Sequence, residues 1–194
     1  IEINTMTGYD GGGGGAYLYS RNSAVTITGT IISGNQALGP EANIGGLSVK
    51  AVNGSSVLID GVKVIGNHAD DDLGGFSIIN SASNVTVRNS TISGNTASHN
   101  RQSSYDAAAG VWLGASSGGS NTIEYSTISD NKIITDPLDP DRVANAPGGG
   151  LFIHNDNYPG TITTIRRSTT GLALETRRAV GTPYGGIGLV HRLV

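Results

Sequence analysis

The chain has no cysteine in its 194 residues, so it contains no disulfide frame, thiolate nucleophile or thiolate metal site. It is also short of large core side chains, with one Met, one Trp and two Phe. Charge is sparse and nearly balanced: 12 basic against 15 acidic residues leave a net of −3 at pH 7. That lacks the positive footprint of a nucleic-acid-binding protein, and nucleic acid is not expected as a partner. No apolar run approaches the roughly 20 residues that cross a bilayer as a helix, so no membrane span is expected either. What is plentiful is glycine, 30 residues of it, in a chain rich in Ser, Thr and Asn. Gly and Asn tolerate the positive φ of tight turns, which points to a β architecture with little helix.

A block recurs along the chain. Two short apolar-alternating runs end in a turn, at Ser33-Gly34-Asn35, Ile65-Gly66-Asn67, Ser93-Gly94-Asn95 and Ser129-Asp130-Asn131. A polar loop follows, then a Gly pair that starts the next block: Gly14-Gly15, Gly45-Gly46, Gly74-Gly75 and Gly149-Gly150, with a lone Gly110 in the fourth copy. At a period of roughly 28 to 36 residues each unit is too short to bury its own apolar face, so the units must stack around one core.

Aligning the copies on the turn Asn gives columns, and alternation along a strand says which columns face inward. Ile32, Val64, Ile92 and Ile128 form one inward column, and Ile27, Ile59, Val87 and Ile123 a second. Val25, Val57 and Val85 form a third, which Asn121 breaks. After the Gly pair, Ala16, Leu47, Phe76, Val111 and Leu151 face inward, then Leu18, Val49, Ile78, Leu113 and Ile153. The turn Asn residues are expected to stack as an internal ladder, because a buried amide must find partners. Three short strands per coil over about five coils, with no room for a helix, describe an all-β, single-stranded parallel β-helix. A sandwich of antiparallel hairpins does not explain why one residue type recurs in one column.

This solenoid spans residues 11–169. Residues 1–10 read as the end of a preceding coil or an N-terminal cap, and 170–194 as a C-terminal cap or non-repeat tail. In the fifth copy Ile162 and Ile165 fit the pattern and Ser168-Thr169 matches Ser126-Thr127, but the composition turns Arg-rich from about Arg166.

Ser-Thr-Ile-Ser-Gly-Asn-Thr-Ala at 90–97 and Gly-Gly-Gly-Leu-Phe-Ile at 148–153 resemble repeat motifs of the bacterial polymorphic outer-membrane and autotransporter-like proteins. These are members of the right-handed parallel β-helix repeat group. The resemblance covers about residues 11–169 and implies a right-handed coil, an extracellular or cell-surface location and an adhesin's role. Polysaccharide lyases and hydrolases share the architecture.

Chemistry is expected along one edge, where loops of varying length leave the coils. Eight of the 15 acidic residues lie there: Glu41, Asp70, Asp71, Asp72, Asp106, Asp136, Asp139 and Asp141. Hard oxygen ligands of this kind suit Ca²⁺, and two carboxyls at fixed separation suit glycoside cleavage, which makes Asp70, Asp71, Asp72, Asp106 and Asp136 the catalytic candidates. The plainer alternative is a solvated polar rim. His68 and His99 share the edge without metal-ligand spacing and read as solvated.

Beside the edge, one outward column holds Tyr17, Ser48, Ser77, Trp112 and Phe152, and the next holds Tyr19, Lys50, Ile79, Gly114 and His154. Exposed rings in register make a platform on which sugar rings stack, so Tyr17, Tyr19, Trp112, Phe152 and His154 are the ligand-binding candidates. Alternatively, the loops at 98–108 and 133–147 fold back and cover the rings, or the strip is a protein interface for self-association there or at the open end. Three roles follow: a β-helix that binds polysaccharide or a cell-surface glycan, a polysaccharide hydrolase or lyase, and a structural stalk of a larger adhesin.

Overall fold

The computed structural model describes residues 4–7, 14–39, 42–98, 108–134, 149–156, 158–170 and 174–178. Within them the chain winds as a parallel β-solenoid whose secondary-structure elements are all strands. No helix among the described residues is long and apolar enough to cross a membrane.

The second full coil illustrates the path. It runs through Leu47–Val52, turns through Asn53 and Gly54 into Ser56–Asp60, and turns again at Gly61 into Lys63–Ile65. After Gly66 it closes with His68–Ala69. Each of these four strands pairs in parallel with its equivalents in the coils on either side, giving four sheets of six, five, five and five strands. The expectation of three strands per coil is therefore corrected to four. The extra strand, seen at Gln36–Leu38, His68–Ala69, Thr96–Ala97 and Lys132–Ile133, is two or three residues long and falls just after the turn Asn. Its outward letters are polar and its inward ones are mostly Ala, so nothing apolar marks it in the sequence. Backbone bonds such as His68 N–H to Asn35 O and Thr96 N–H to Asn67 O, both 2.9 Å, hold it in place.

The corners follow from backbone conformation. Gly34, Gly66, Gly94 and Asp130 share one corner with φ of 64°, 63°, 64° and 57°. That left-handed geometry suits Gly best and tolerates Asp. The inward columns read from the sequence are in register, and Ile32, Val64, Ile92 and Ile128 are all buried. The break at Asn121 is explained from inside: its Oδ1 accepts from Asn80 Nδ2 at 2.8 Å and its Nδ2 donates to Gly114 O at 3.2 Å. One coil later the same position holds Thr163, which donates to Asn155 Oδ1 at 3.0 Å. Thr163 thereby displaces the predicted Ile162 from the inward column, and Ile162 stands outward and exposed beside Ser120. Ile165 does pair with Ile123 facing inward. Leu174–Arg178, assigned from sequence to the terminal segment, adds a sixth strand beside Leu151–Asn155.

The ladder of turn amides runs through the stack. Asn35, Asn67, Asn95 and Asn131 are linked by Nδ2–H to Oδ1 bonds of 2.8 to 2.9 Å, and Asn4 extends the series by one. Each Oδ1 also accepts the backbone N–H of the preceding Asn at 2.9 to 3.0 Å. The second Nδ2 proton of Asn67, Asn95 and Asn131 goes to Ile32 O, Val64 O and Ile92 O at 3.0 to 3.1 Å. Both donors and both lone pairs of Asn67 and Asn95 are thus satisfied, the full capacity of an amide. The Gly pairs leave room for the ladder. A Cβ at Gly75 would lie 2.9 Å from Asn95 Nδ2 and 2.5 Å from Gly110 O, so a side chain there collides with amide and carbonyl together.

A second column crosses the outside of the second sheet. Asp60, Arg88, Glu124 and Arg166 alternate in sign from coil to coil. Arg88 contacts Asp60 at 2.8 Å and Arg166 contacts Glu124 at 2.7 Å. Arg166 therefore belongs to the repeat although it begins the Arg-rich stretch. The Asn89 amide, followed by the Arg88 guanidinium, holds the Asp60 carboxyl below its ordinary value near 3.8.

Asn67→Ala strands the Asn35 donors and the Asn95 acceptor in a dry interior, and at roughly 1 to 3 kcal/mol for each buried orphan it is expected to lose on the order of 3 kcal/mol in urea unfolding. Asn67→Asp, of the same shape but unable to donate, is expected to lose at least as much. A Thr86→Val control on the outer face is expected within about 0.5 kcal/mol of wild type. For Asp60, the native state releases its proton more readily than the unfolded chain. Its stabilisation is therefore complete above about pH 4 and fades as pH falls further. Asp60→Asn should lower the melting temperature at pH 7, and the difference from wild type should shrink as pH falls below about 4, measured by circular dichroism.

Candidate functional site

The first sheet presents its outer face beneath the loop edge, and register brings Tyr17, Ser48, Ser77, Trp112 and Phe152 into one column as the sequence implied. Exposure along that column is uneven. Tyr17 is 55% exposed, but Phe152 is fully buried and Trp112 is half-buried. Phe152 is therefore removed from the exposed strip. The cover consists of Ile44, Leu73 and Ala108, which pack on Phe152 with Trp112 against them. Ile44 and Leu73 pair as a parallel bridge, and Ala108 N–H bonds to Asp72 O at 2.9 Å, so the cover is built coil by coil like the sheet below it. Ser48 and Ser77 are sealed under it. Part of the covering foreseen for loop 98–108 thus comes from shorter loops as well.

The neighbouring outward column stays open where the cover ends. Tyr19, Ile79 and His154 are exposed, and Lys50 is half-buried. Gly114 occupies the same column, and its place there has a physical reason: the six-membered ring of Trp112 lies across it. A Cβ on Gly114 would fall 2.3 Å from Trp112 Cη2. The indole and the His154 imidazole sit 6.3 Å apart between centroids at 50°, and Phe152 meets His154 edge-on at 6.4 Å. Around them is a groove of about 190 Å³ lined by Ile79, Trp112, Ser116, His154 and Asp156 among others.

Asp156 was not singled out from the sequence. Its Oδ1 accepts from Thr161 Oγ1 at 2.9 Å and Tyr158 N–H at 3.1 Å, and its Oδ2 from Ser117 N–H at 3.0 Å. It fastens the 158–161 turn to the Ser117-Gly118 corner and fixes one wall of the groove. An Asp two residues after an outward-facing His, just before a Tyr-Pro-Gly turn, was the available signal.

Of the eight acidic residues expected on the loop edge, Asp70, Asp71 and Asp72 are described. Asp70 is partly exposed and accepts from Gly39 N–H at 2.9 Å and faces His68 Nε2 at 3.0 Å. Asp71 is fully buried and Asp72 partly so. Asp106, Asp136, Asp139, Asp141, Glu41 and His99 lie outside the described residues. Among the described residues no group of three His, Asp or Glu side chains is placed to hold a metal ion.

Searches of curated proteins and of solved structures return no match to the chain. The family model for the right handed beta helix region matches residues 1–169, the whole of the stacked portion described above apart from its last strand. Parallel pairing in every sheet, a shared interior and that match together place the chain in the right-handed β-helix family.

Proposed function

We propose that the protein is a carbohydrate-binding β-helix acting outside the cell or at its surface, and that a sugar ring seats in the groove beside Trp112. The observation that carries this reading is the indole lying across Gly114, at the margin of a groove whose other wall holds His154 and Asp156. An aromatic face next to a fixed hydrogen-bonding group is the combination that a sugar needs, since its C–H faces are apolar and its rim is hydroxylated. The groove runs on toward Ile79, with Tyr19 exposed further along the same column, so the surface suits a chain of sugars better than a single one.

The test uses the fact that Trp112 is the only Trp, so emission excited selectively at tryptophan reports on the groove without the seven Tyr. Oligosaccharides from a panel of plant, bacterial and animal polysaccharides are titrated against wild type, and a saturable change in emission is expected with at least one. Gly114→Val, whose φ is unstrained but whose side chain displaces the indole, and His154→Ala at an exposed position are each expected to weaken retention on that polysaccharide at least tenfold. Emission that no saccharide alters, or retention that both variants preserve, removes the groove as a sugar site.

A further inference from the structure

We propose that Thr96, His68 and Asp70 form a nucleophilic acyl-transfer site on the outside of the fourth sheet, directed at esters of small carboxylic acids. Three side chains on two coils are joined in series: Thr96 Oγ1 lies 2.8 Å from His68 Nδ1, and His68 Nε2 lies 3.0 Å from Asp70 Oδ1. The carboxylate only accepts, so in neutral imidazole it fixes the proton on Nε2 and leaves Nδ1 as an acceptor. The Thr96 hydroxyl then donates to Nδ1. That is the state in which a hydroxyl is ready to lose its proton to a base while a third group orients the ring.

The supports are rigid. His68 and Thr96 are register partners on adjacent coils, and Ala69 and Ala97 beside them are fully buried. Asp70 is held from its other oxygen by Gly39 N–H at 2.9 Å. The trio remains reachable, with 23% of the His68 side chain and 31% of that of Asp70 exposed. Stacking alone does not call for it. The same column carries Gln36 before His68 and Lys132 after Thr96, both exposed, so the sheet closes equally well with unrelated side chains. Lys132, the register partner of Thr96, places a positive charge one coil beyond the nucleophile.

The step balances without a co-reactant other than water. Thr96 Oγ1 bonds to the ester carbonyl carbon as its proton passes to His68 Nδ1. The C–O bond to the alcohol breaks, and the leaving alkoxide takes that proton. Water then attacks the acyl-threonine, again through His68, and releases the carboxylic acid and the free hydroxyl. This site stands on a different sheet from the groove and does not depend on it.

p-Nitrophenyl acetate is the probe. Thr96→Val keeps the side chain's shape and removes the nucleophile, and His68→Gln removes the base. Each is expected to lower p-nitrophenolate release at least 100-fold, in line with the usual contribution of general base catalysis. Thr96→Ser is expected to retain turnover, and mass spectrometry of acid-quenched protein should place an acetyl group on the peptide that contains Thr96. Thermal melts verify that the variants fold. Three results overturn the proposal: wild-type release no faster than that of Thr96→Val, loss in His68→Gln alone, or acetyl found only elsewhere. A lowered melting temperature with unchanged release identifies the trio as a clamp between coils and overturns it equally.

Discussion

The stacked amides are the most demanding constraint among the described residues. A buried Asn with two donors and two lone pairs is satisfied only when the coils before and after it lie in one register, and Asn67 and Asn95 meet that condition completely. Strands of two to six residues have little register preference of their own, and a slip of one residue would turn apolar columns outward. The amides add a penalty to any such slip, because each misplaced one strands several buried polar groups at once. The Gly pairs belong to the same constraint. A Cβ on Gly15, Gly46 or Gly75 would collide with both a ladder amide and the next coil's carbonyl.

The aliphatic repeat and the amide ladder were legible in the letters, because aligning the copies on one turn residue already lines up like with like. The inward aliphatic columns and the ladder needed only a period and the rule that buried amides pair. Asp60, Arg88, Glu124 and Arg166 stand at one fixed offset before successive corners, and column reading could have found them too. What stayed hidden carries no strong apolar pattern in the letters. The fourth strand is a pair of ordinary residues held by backbone bonds, and the cover over Phe152 comes from isolated apolar letters in loops, Ile44, Leu73 and Ala108. The partnership of Asn121 with Asn80 spans 41 residues and looks like a defect from one coil alone. The candidate site was half legible: the aromatic column was aligned correctly, but which of its rings reach solvent depended on a cover that alignment does not describe.

Both surfaces with chemical potential arise where the repeat departs from itself. The groove exists because Gly114 replaces a side chain in an outward column and lets an indole lie down, and because Asp156 pins a turn beside it. The hydroxyl, imidazole and carboxylate series occupies outward positions of the shortest sheet strands, where other coils carry Gln36 and Lys132. Most outward positions vary at less cost than inward ones, since the buried columns and the amide ladder lie inside. The scaffold therefore fixes where side chains can be offered without dictating what they do.

The alternating charges on the second sheet carry an arithmetic consequence. Loss of the Arg88 or the Glu124 coil, or duplication of any one coil in the run from Asp60 to Arg166, would set acid against acid or base against base about 4.8 Å apart, whereas loss of both inner coils or duplication of two adjacent coils keeps the alternation. The amide column has no such parity, since every Asn is the same to its neighbours. Single-coil changes inside the run therefore carry an electrostatic cost that paired changes avoid, a rule written on the surface and absent from the interior.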